Sequence, residues 1–250
     1  MIKVKVPATS ANLGIGFDCL GLSLDLYNTF TFEASNSFKL SGFKSFNDIN
    51  NNLVAKAYIA FAENANQHAK PVIITQVIQD IPLSRGLGSS AACIVAGVLA
   101  SNHLNNLNKS LSECAAFAAL YEGHPDNVYP AVFGGLVTVF EDDEDYHFKQ
   151  YKVSENLNFF ALIPNEHGNT DALRKALPSK LPYADAVFNL SRIIQLPEAI
   201  KEGDFKLLKK LLVDKLHEPY RFKYLVKPEL IEKLKLRKDL ITLISGSGTT

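Results

Sequence analysis

The chain has 250 residues and 47% hydrophobic content, enough apolar material for one large core or two small ones. Lys+Arg and Asp+Glu each number 26, so no global field favours a nucleic acid or an anionic membrane, and a bound anion must be held by local geometry. No apolar run is long enough to span a membrane, residues 1–6 alternate instead of forming a secretory segment, and Cys19, Cys93 and Cys114 are scattered without metal-ligand spacing, as expected of buried thiols in a reducing cytosol.

Residues 1–7 alternate and predict a strand that breaks at Pro7. A second strand is predicted over 22–32, where Tyr27, Phe30 and Phe32 are the aromatic members. The stretch 41–52 is polar and turn-rich. Ala57, Tyr58, Phe61, Ala62 and Ala65 fall on one helical face within 54–68, and the β-branched run 71–81 predicts a strand. A glycine turn follows, then a helix over 89–104. A second helix over 110–121 carries a capping box, Ser110 with Glu113. A strand is expected over 132–140, after a turn near Pro130. The acidic run Glu141-Asp142-Asp143-Glu144-Asp145 reads as a solvated hairpin tip, with a domain boundary near residue 150. Beyond it the pattern predicts a strand at 159–163, helices at 171–177, 184–196, 205–213 and 228–236, and a last strand at 240–244 running into Ser245-Gly246-Ser247-Gly248. A strand that enters a glycine turn ordinarily leads to another element, so further structure is expected after Thr250.

The richest segment is Ser84-Arg85-Gly86-Leu87-Gly88-Ser89-Ser90-Ala91-Ala92. Its two glycines permit a tight turn and close approach of a ligand. The helix that follows offers free amides and a positive dipole end to an anion, and the two serine hydroxyls can reach a phosphate or a metal ion. No lysine follows Gly88, which excludes a Walker A loop, and the third glycine of a dinucleotide fingerprint is missing. The loop alone leaves two readings open, a polyphosphate site or a tight turn of small residues at a helix start.

Two more segments bear on that choice: Pro7-Ala8-Thr9-Ser10-Ala11-Asn12-Leu13-Gly14-Ile15-Gly16-Phe17-Asp18 and the terminal Ser245-Gly246-Ser247-Gly248. With the central loop they resemble, in order and separation, the three motifs of the GHMP small-molecule kinases. The first segment and His124-Pro125-Asp126-Asn127 are similar to the branch of that family that phosphorylates homoserine. The resemblance implies an α+β fold of two domains, 1–150 with a left-handed β-α-β phosphate-loop unit and 151–250 with a ferredoxin-like α/β sandwich. It implies further elements after the third motif, where Thr249 stands in place of the family's usual proline.

The resemblance also implies the chemistry: phosphorylation of the L-homoserine hydroxyl by ATP with Mg2+, in a cytoplasmic homodimer of threonine biosynthesis that needs neither nucleic acid nor membrane. It assigns the nucleotide to Pro82, Leu83, Ser84, Arg85, Gly86, Leu87, Gly88, Ser89 and Ser90, with Asn52 near the adenine. Ser90 and Glu122 are the expected metal ligands, a neutral oxygen and a carboxylate. Arg174, Arg221 and neighbouring Thr170 are expected at the substrate carboxylate, where arginine's planar fork pairs bidentately. Asn12 and Asp18 are expected at the ammonium, and Asn127 with His124 at the hydroxyl. Asn127, His124 and Asp18 form the expected catalytic group, without a dedicated base, because phosphoryl transfer asks mainly for positioning and charge neutralisation. A mevalonate-like or sugar acceptor, or a non-catalytic sensor on the same fold, are the alternatives.

Overall fold

The computed structural model describes residues 1–143, 145–165, 170–225, 228–248 and 250; the side chains of residues 170–172 and 223 lie outside that description. Glu144 and Thr249, both named above, therefore fall outside it, as does the Thr170 side chain.

Strand β2 (Gly16–Ala34) is the spine of the sheet. β1 (Ile2–Asn12) pairs antiparallel along one edge, with register shifts at Pro7/Ala8 and Ala11/Asn12. Proline donates no ladder hydrogen bond, so a bulge is where a strand tolerates it. On the other edge of β2, β4 (Val72–Gln79) pairs with residues 28–34 and β5 (Leu136–Asp142) with residues 20–22. β3 (Lys39–Ser41) lies parallel to β4, and β6 (Asp145–Tyr151) closes a hairpin with β5. The described ends of the acidic run meet at this hairpin's tip, with Asp142 opposite Asp145.

Helix α1 (Leu53–Asn64) buries Val54, Ala57, Tyr58 and Phe61 on one stripe. α2 (Ser89–Leu104) has no such stripe, because it is buried on nearly every side. Ala91, Ala92, Ile94, Val95, Ala96, Val98 and Ala100 are all in the core. Gly97 is required there, since a Cβ would sit 2.3 Å from the Val54 carbonyl of α1. Each fully buried Ile or Val contributes about 1.5–3 kcal/mol, which fixes the helix whose first turn faces the glycine loop. α3 (Leu111–Glu122) starts with the Ser110/Glu113 capping box and ends at Gly123, with φ 90°. That left-handed residue turns the chain sharply into His124.

The expected strand at 132–140 is corrected in its first part. Residues Val128–Phe133 form α4, and the strand begins only at Leu136, after Gly134 and Gly135 at φ 75° and 68°. Pro130 lies in the first helical turn, where its missing N–H costs nothing, and Val128, Tyr129 and Ala131 bury against the core.

Beyond Tyr151 every regular element among the described residues is helical: α5 (Thr170–Lys175), α6 (Tyr183–Ile193), α7 (Leu196–Glu202), α8 (Phe205–Leu211), α9 (Glu218–Arg221, continued by a 3₁₀ turn) and α10 (Pro228–Lys235). The stretches expected as strands at 159–163 and 240–244 find no ladder partner among the described residues, and Phe160 is exposed. A β-propensity run becomes a strand only where another backbone lies alongside it. A second apolar cluster joins the two halves, with Leu13, Ile15, Leu20 and Leu136 against Leu196, Ile200, Leu208 and Leu211.

Candidate active site

A cleft of about 480 Å³ opens at the start of α2, within the size range of small-molecule sites. Its floor is the glycine loop. Gly88 has φ 65°, and a Cβ there would lie 2.0 Å from Thr9 Oγ1. Gly86 has φ 71°, and its Cβ would lie 2.5 Å from the Ser245 carbonyl. The third glycine motif thus packs directly on the second: Ser245 Oγ donates to the Gly86 carbonyl at 2.6 Å. It is tied to the first motif as well, by Gly246 N–H to the Ala11 carbonyl at 3.1 Å and Asn12 Nδ2 to the Gly246 carbonyl at 2.8 Å.

The N-cap of α2 is Gly88, without a side-chain cap, and Ser89 Oγ is buried with no partner among the described residues. An uncapped helix start beside an orphaned hydroxyl is a cradle for an anion. Ser90 Oγ donates to Glu122 Oε2 at 2.7 Å. Burial raises the Glu122 carboxyl above its ordinary range; the Ser90 hydrogen bond and His124 pull it back. Among the described residues no cluster of three or more His, Cys, Asp or Glu could hold a metal by itself. The set suits Mg2+, which takes one or two carboxylates and completes its shell with phosphate oxygens and water.

Gly123 delivers His124, Asp126 and Asn127 to the cleft wall. His124 Nδ1 lies 2.7 Å from Asp126 Oδ1. Burial disfavours the imidazolium, but the Asp126 hydrogen bond and charge outweigh it and leave the His124 pKa raised. Asn127 is held from both sides, by Thr9 Oγ1 donating to its Oδ1 at 2.8 Å and by its Nδ2 reaching Asp126 at 3.3 Å. Across the cleft Arg174 grips Asp18 through Nη1 and Nη2, at 3.1 and 3.2 Å. Asp18 has φ 55°, and its N–H donates to Asn12 Oδ1 at 2.9 Å. Arg221 is 1% exposed, and burial, reinforced by Arg174, lowers its pKa. At the far end Phe43, Phe46, Leu53 and Val54 give an apolar wall suited to a base.

Most of the residues expected from sequence converge here. Asn12, Asp18, Asn52, Leu83, Ser84, Gly86, Gly88, Ser89, Ser90, Glu122, His124, Asn127, Arg174 and Arg221 all line the one cleft. Four do otherwise. Leu87 is buried in the core and reaches the loop only through its carbonyl, which accepts from Thr9 N–H at 3.2 Å. Arg85 donates to the Asn165 carbonyl at 2.6 Å, and neither it nor Pro82 lines the cleft. Asn52 does line it, but its amide caps α1 at Ala55 N–H and donates to the Phe46 carbonyl, so it shapes the wall. Thr9, Asp126, Phe43 and Phe46 were not singled out from sequence. Asp126 lay inside a quoted motif; the phenylalanines lay in a stretch with no periodicity.

Residues 52–135 match the GHMP kinases N terminal domain. The homoserine kinase of Clostridium acetobutylicum is 40% identical over 254 residues, covering 100% of this chain and 86% of that protein. That of Clostridium kluyveri is 39% identical and matched over 84% of its length. The crystal structure of homoserine kinase from Cytophaga hutchinsonii superposes with a TM-score of 0.81 at 27% identity, covering 99% of this chain and 82% of that one.

Proposed function

Since the chain belongs to the homoserine kinases of the GHMP family, we propose that it transfers the terminal phosphoryl group of ATP to the side-chain hydroxyl of L-homoserine, giving O-phospho-L-homoserine and ADP. The observation that carries this is one cleft joining an uncapped helix start to a set of charges matched to a zwitterion. Arg174 and Arg221 receive the carboxylate, while Asp18 and Asn12 receive the ammonium. Neither mevalonate nor a sugar has an ammonium to match that second pair.

The loop amides and Ser89 hold the polyphosphate. Ser90 and Glu122 would hold Mg2+, which when bound neutralises charge on the phosphate oxygens. Asn127, fixed by Thr9 and Asp126, orients the acceptor hydroxyl, and His124 stands beside it. The hydroxyl oxygen bonds to the terminal phosphorus as the bond to the ADP oxygen breaks, and the hydroxyl proton passes to the transferred phosphoryl group. Asp18 faces Arg174 and serves the substrate ammonium, so the reaction runs on positioning and electrostatic stabilisation without a dedicated base. The family resemblance extends the reading to a cytoplasmic homodimer in threonine biosynthesis, divided near residue 150.

An ADP-release assay with ATP and Mg2+ tests it. Turnover is expected with L-homoserine and not with mevalonate or galactose. Turnover with either of those, or equal turnover after chelation of Mg2+, would overturn the assignment.

A further inference from the structure

His217, at the N-cap of α9, is fully buried and touches two parts of the site at once. Its Nε2 lies 2.6 Å from the Gly14 carbonyl oxygen, in the first glycine motif. Its Nδ1 lies 3.2 Å from Arg221 Nη1. A carbonyl only accepts and a guanidinium only donates. The ring must therefore carry its hydrogen on Nε2 and keep the Nδ1 lone pair for Arg221, which makes it neutral and fixes one tautomer.

Arg221 has few other anchors. Its Nε donates to the Leu173 carbonyl at 3.3 Å and Nη1 to the Gly246 carbonyl at 3.2 Å. The guanidinium lies 5.2 Å from the Phe17 ring centre, and that ring lies 5.2 Å from the imidazole. The Leu173 and Gly246 bonds both end on main-chain carbonyls, so among the described residues the imidazole is the side-chain acceptor that sets the plane of the fork.

We propose that His217 is a positioning residue: as a neutral acceptor it aims the Arg221 guanidinium at the substrate carboxylate and ties that aim to the first glycine motif. This rests on the reading of Arg221 as a homoserine carboxylate ligand.

The groups around the imidazole fit the role. Asp214 Oδ2, in the loop before α9, is 3.8 Å from Nε2. Its carboxylate already accepts from the N–H groups of Leu216, His217 and Glu218 and from Asn189 Nδ2. Glu218 and Arg221 face the ring from α9, Gly14 from the β1–β2 turn and Phe17 from the start of β2, and Arg174, Asp18 and Asp126 stand around Arg221. Burial lowers the His217 pKa; Asp214, the Gly14 carbonyl and Glu218 oppose this, and Arg221 adds to it. Acidification through that lowered pKa puts a proton on Nδ1, against the guanidinium. The carboxylate and ammonium of homoserine both keep their charge between about pH 5 and 7, so the substrate does not titrate in that window.

The test compares wild type, His217→Gln and His217→Asn. Glutamine reaches the Gly14 carbonyl but offers nothing at the Nδ1 position, whereas asparagine places an acceptor there. His217→Gln is expected to raise KM for homoserine about tenfold or more, with kcat and KM for ATP within about twofold. The wild type is expected to show a rise in homoserine KM on acidification below about pH 6.5, and His217→Asn is expected to recover most of the His217→Gln loss and to abolish that rise. An unchanged homoserine KM in His217→Gln, or an equal rise in both KM values, would overturn the proposal. Nitrogen-15 NMR of the wild-type imidazole decides the contact independently of any turnover. The Nε2–H tautomer at pH 7 is expected, and an Nδ1–H tautomer or an imidazolium would overturn the proposal. A wild type that phosphorylated no homoserine would instead sink the acceptor assignment, while the NMR result would still decide the His217–Arg221 contact.

Discussion

Asp18 and Arg174 meet in a two-pronged ion pair, 3.1 and 3.2 Å, although 156 residues separate them in sequence. They are the residues proposed to hold opposite poles of the substrate, so the free cleft keeps the two poles matched to each other. The side chains are 34% and 40% exposed, and a pair so wet contributes only about 0–1 kcal/mol. An incoming zwitterion opens it cheaply and replaces each partner with one of like charge. Hydrogen bonds to charged groups give about 1.5–3 kcal/mol, so Arg174→Ala should raise homoserine KM roughly 10–100-fold. Arg174→Lys, with the charge but not the fork, should fall between it and wild type. Steady-state kinetics at saturating ATP measure this, with the melting temperature expected to stay nearly constant.

Ser90 and Glu122 share the hydrogen bond that presents both oxygens to one point. Ser90→Ala and Glu122→Gln should each raise the Mg2+ concentration needed for half-maximal rate by about 10–100-fold, the usual scale for disturbing a metal site. A Mg2+ titration at fixed ATP reads it. An unchanged Mg2+ requirement in both would remove them from the metal site.

Gly88 and Gly123 form a matched pair for substitution by alanine. Both have positive φ, but a Cβ at Gly88 meets Thr9 Oγ1 at 2.0 Å, whereas at Gly123 nothing lies within 4 Å. Strained φ costs about 1–3 kcal/mol, or roughly 2–4 °C of melting temperature per kcal/mol at this size. Both variants should melt lower. Only Gly88→Ala should also lose kcat/KM for ATP, by about 100-fold or more, because it alone displaces the phosphate cradle.

Thr9→Val leaves Asn127 Oδ1 buried without its 2.8 Å donor. The penalty for such an orphan is about 1–3 kcal/mol. Stability to urea should fall by that amount, and kcat should fall as Asn127 loses its fixed orientation. Thr9→Ser keeps the hydroxyl and should restore both.

His217 also sets a pH dependence of stability. Its folded pKa lies below the ordinary 6.5, so on acidification the unfolded chain takes up the proton first. The neutral-ring contribution is complete above about pH 6.5 and is lost as the pH falls through the folded pKa. His217→Asn should flatten the stability curve in that window, as measured by urea unfolding between pH 5 and 7.5.

Local signals carried much of the fold. α2 begins and ends where the glycine turn and apolar run placed it, and the Ser110/Glu113 box marks the start of α3. These succeed because caps and turns are made within a few residues. Residues 132–133 misled because Val and Phe favour strands, yet packing of Tyr129 and Phe133 against Tyr146 and Phe148 of β6 holds the segment as a helix. The stretches 159–163 and 240–244 misled because a strand needs a neighbour that no local pattern supplies. The site follows the same division. Asn12, Asp18, Gly86, Gly88 and Ser90 were legible in the glycine motifs, and Glu122 and the two arginines only through the likeness to a known family. That Asp18 meets Arg174, that Thr9 holds Asn127, and that His217 stands between Gly14 and Arg221 was decided by the tertiary structure alone. Each of those contacts joins residues more than a hundred positions apart or depends on a ring orientation, and packing of distant segments selects both after the local pattern has been spent.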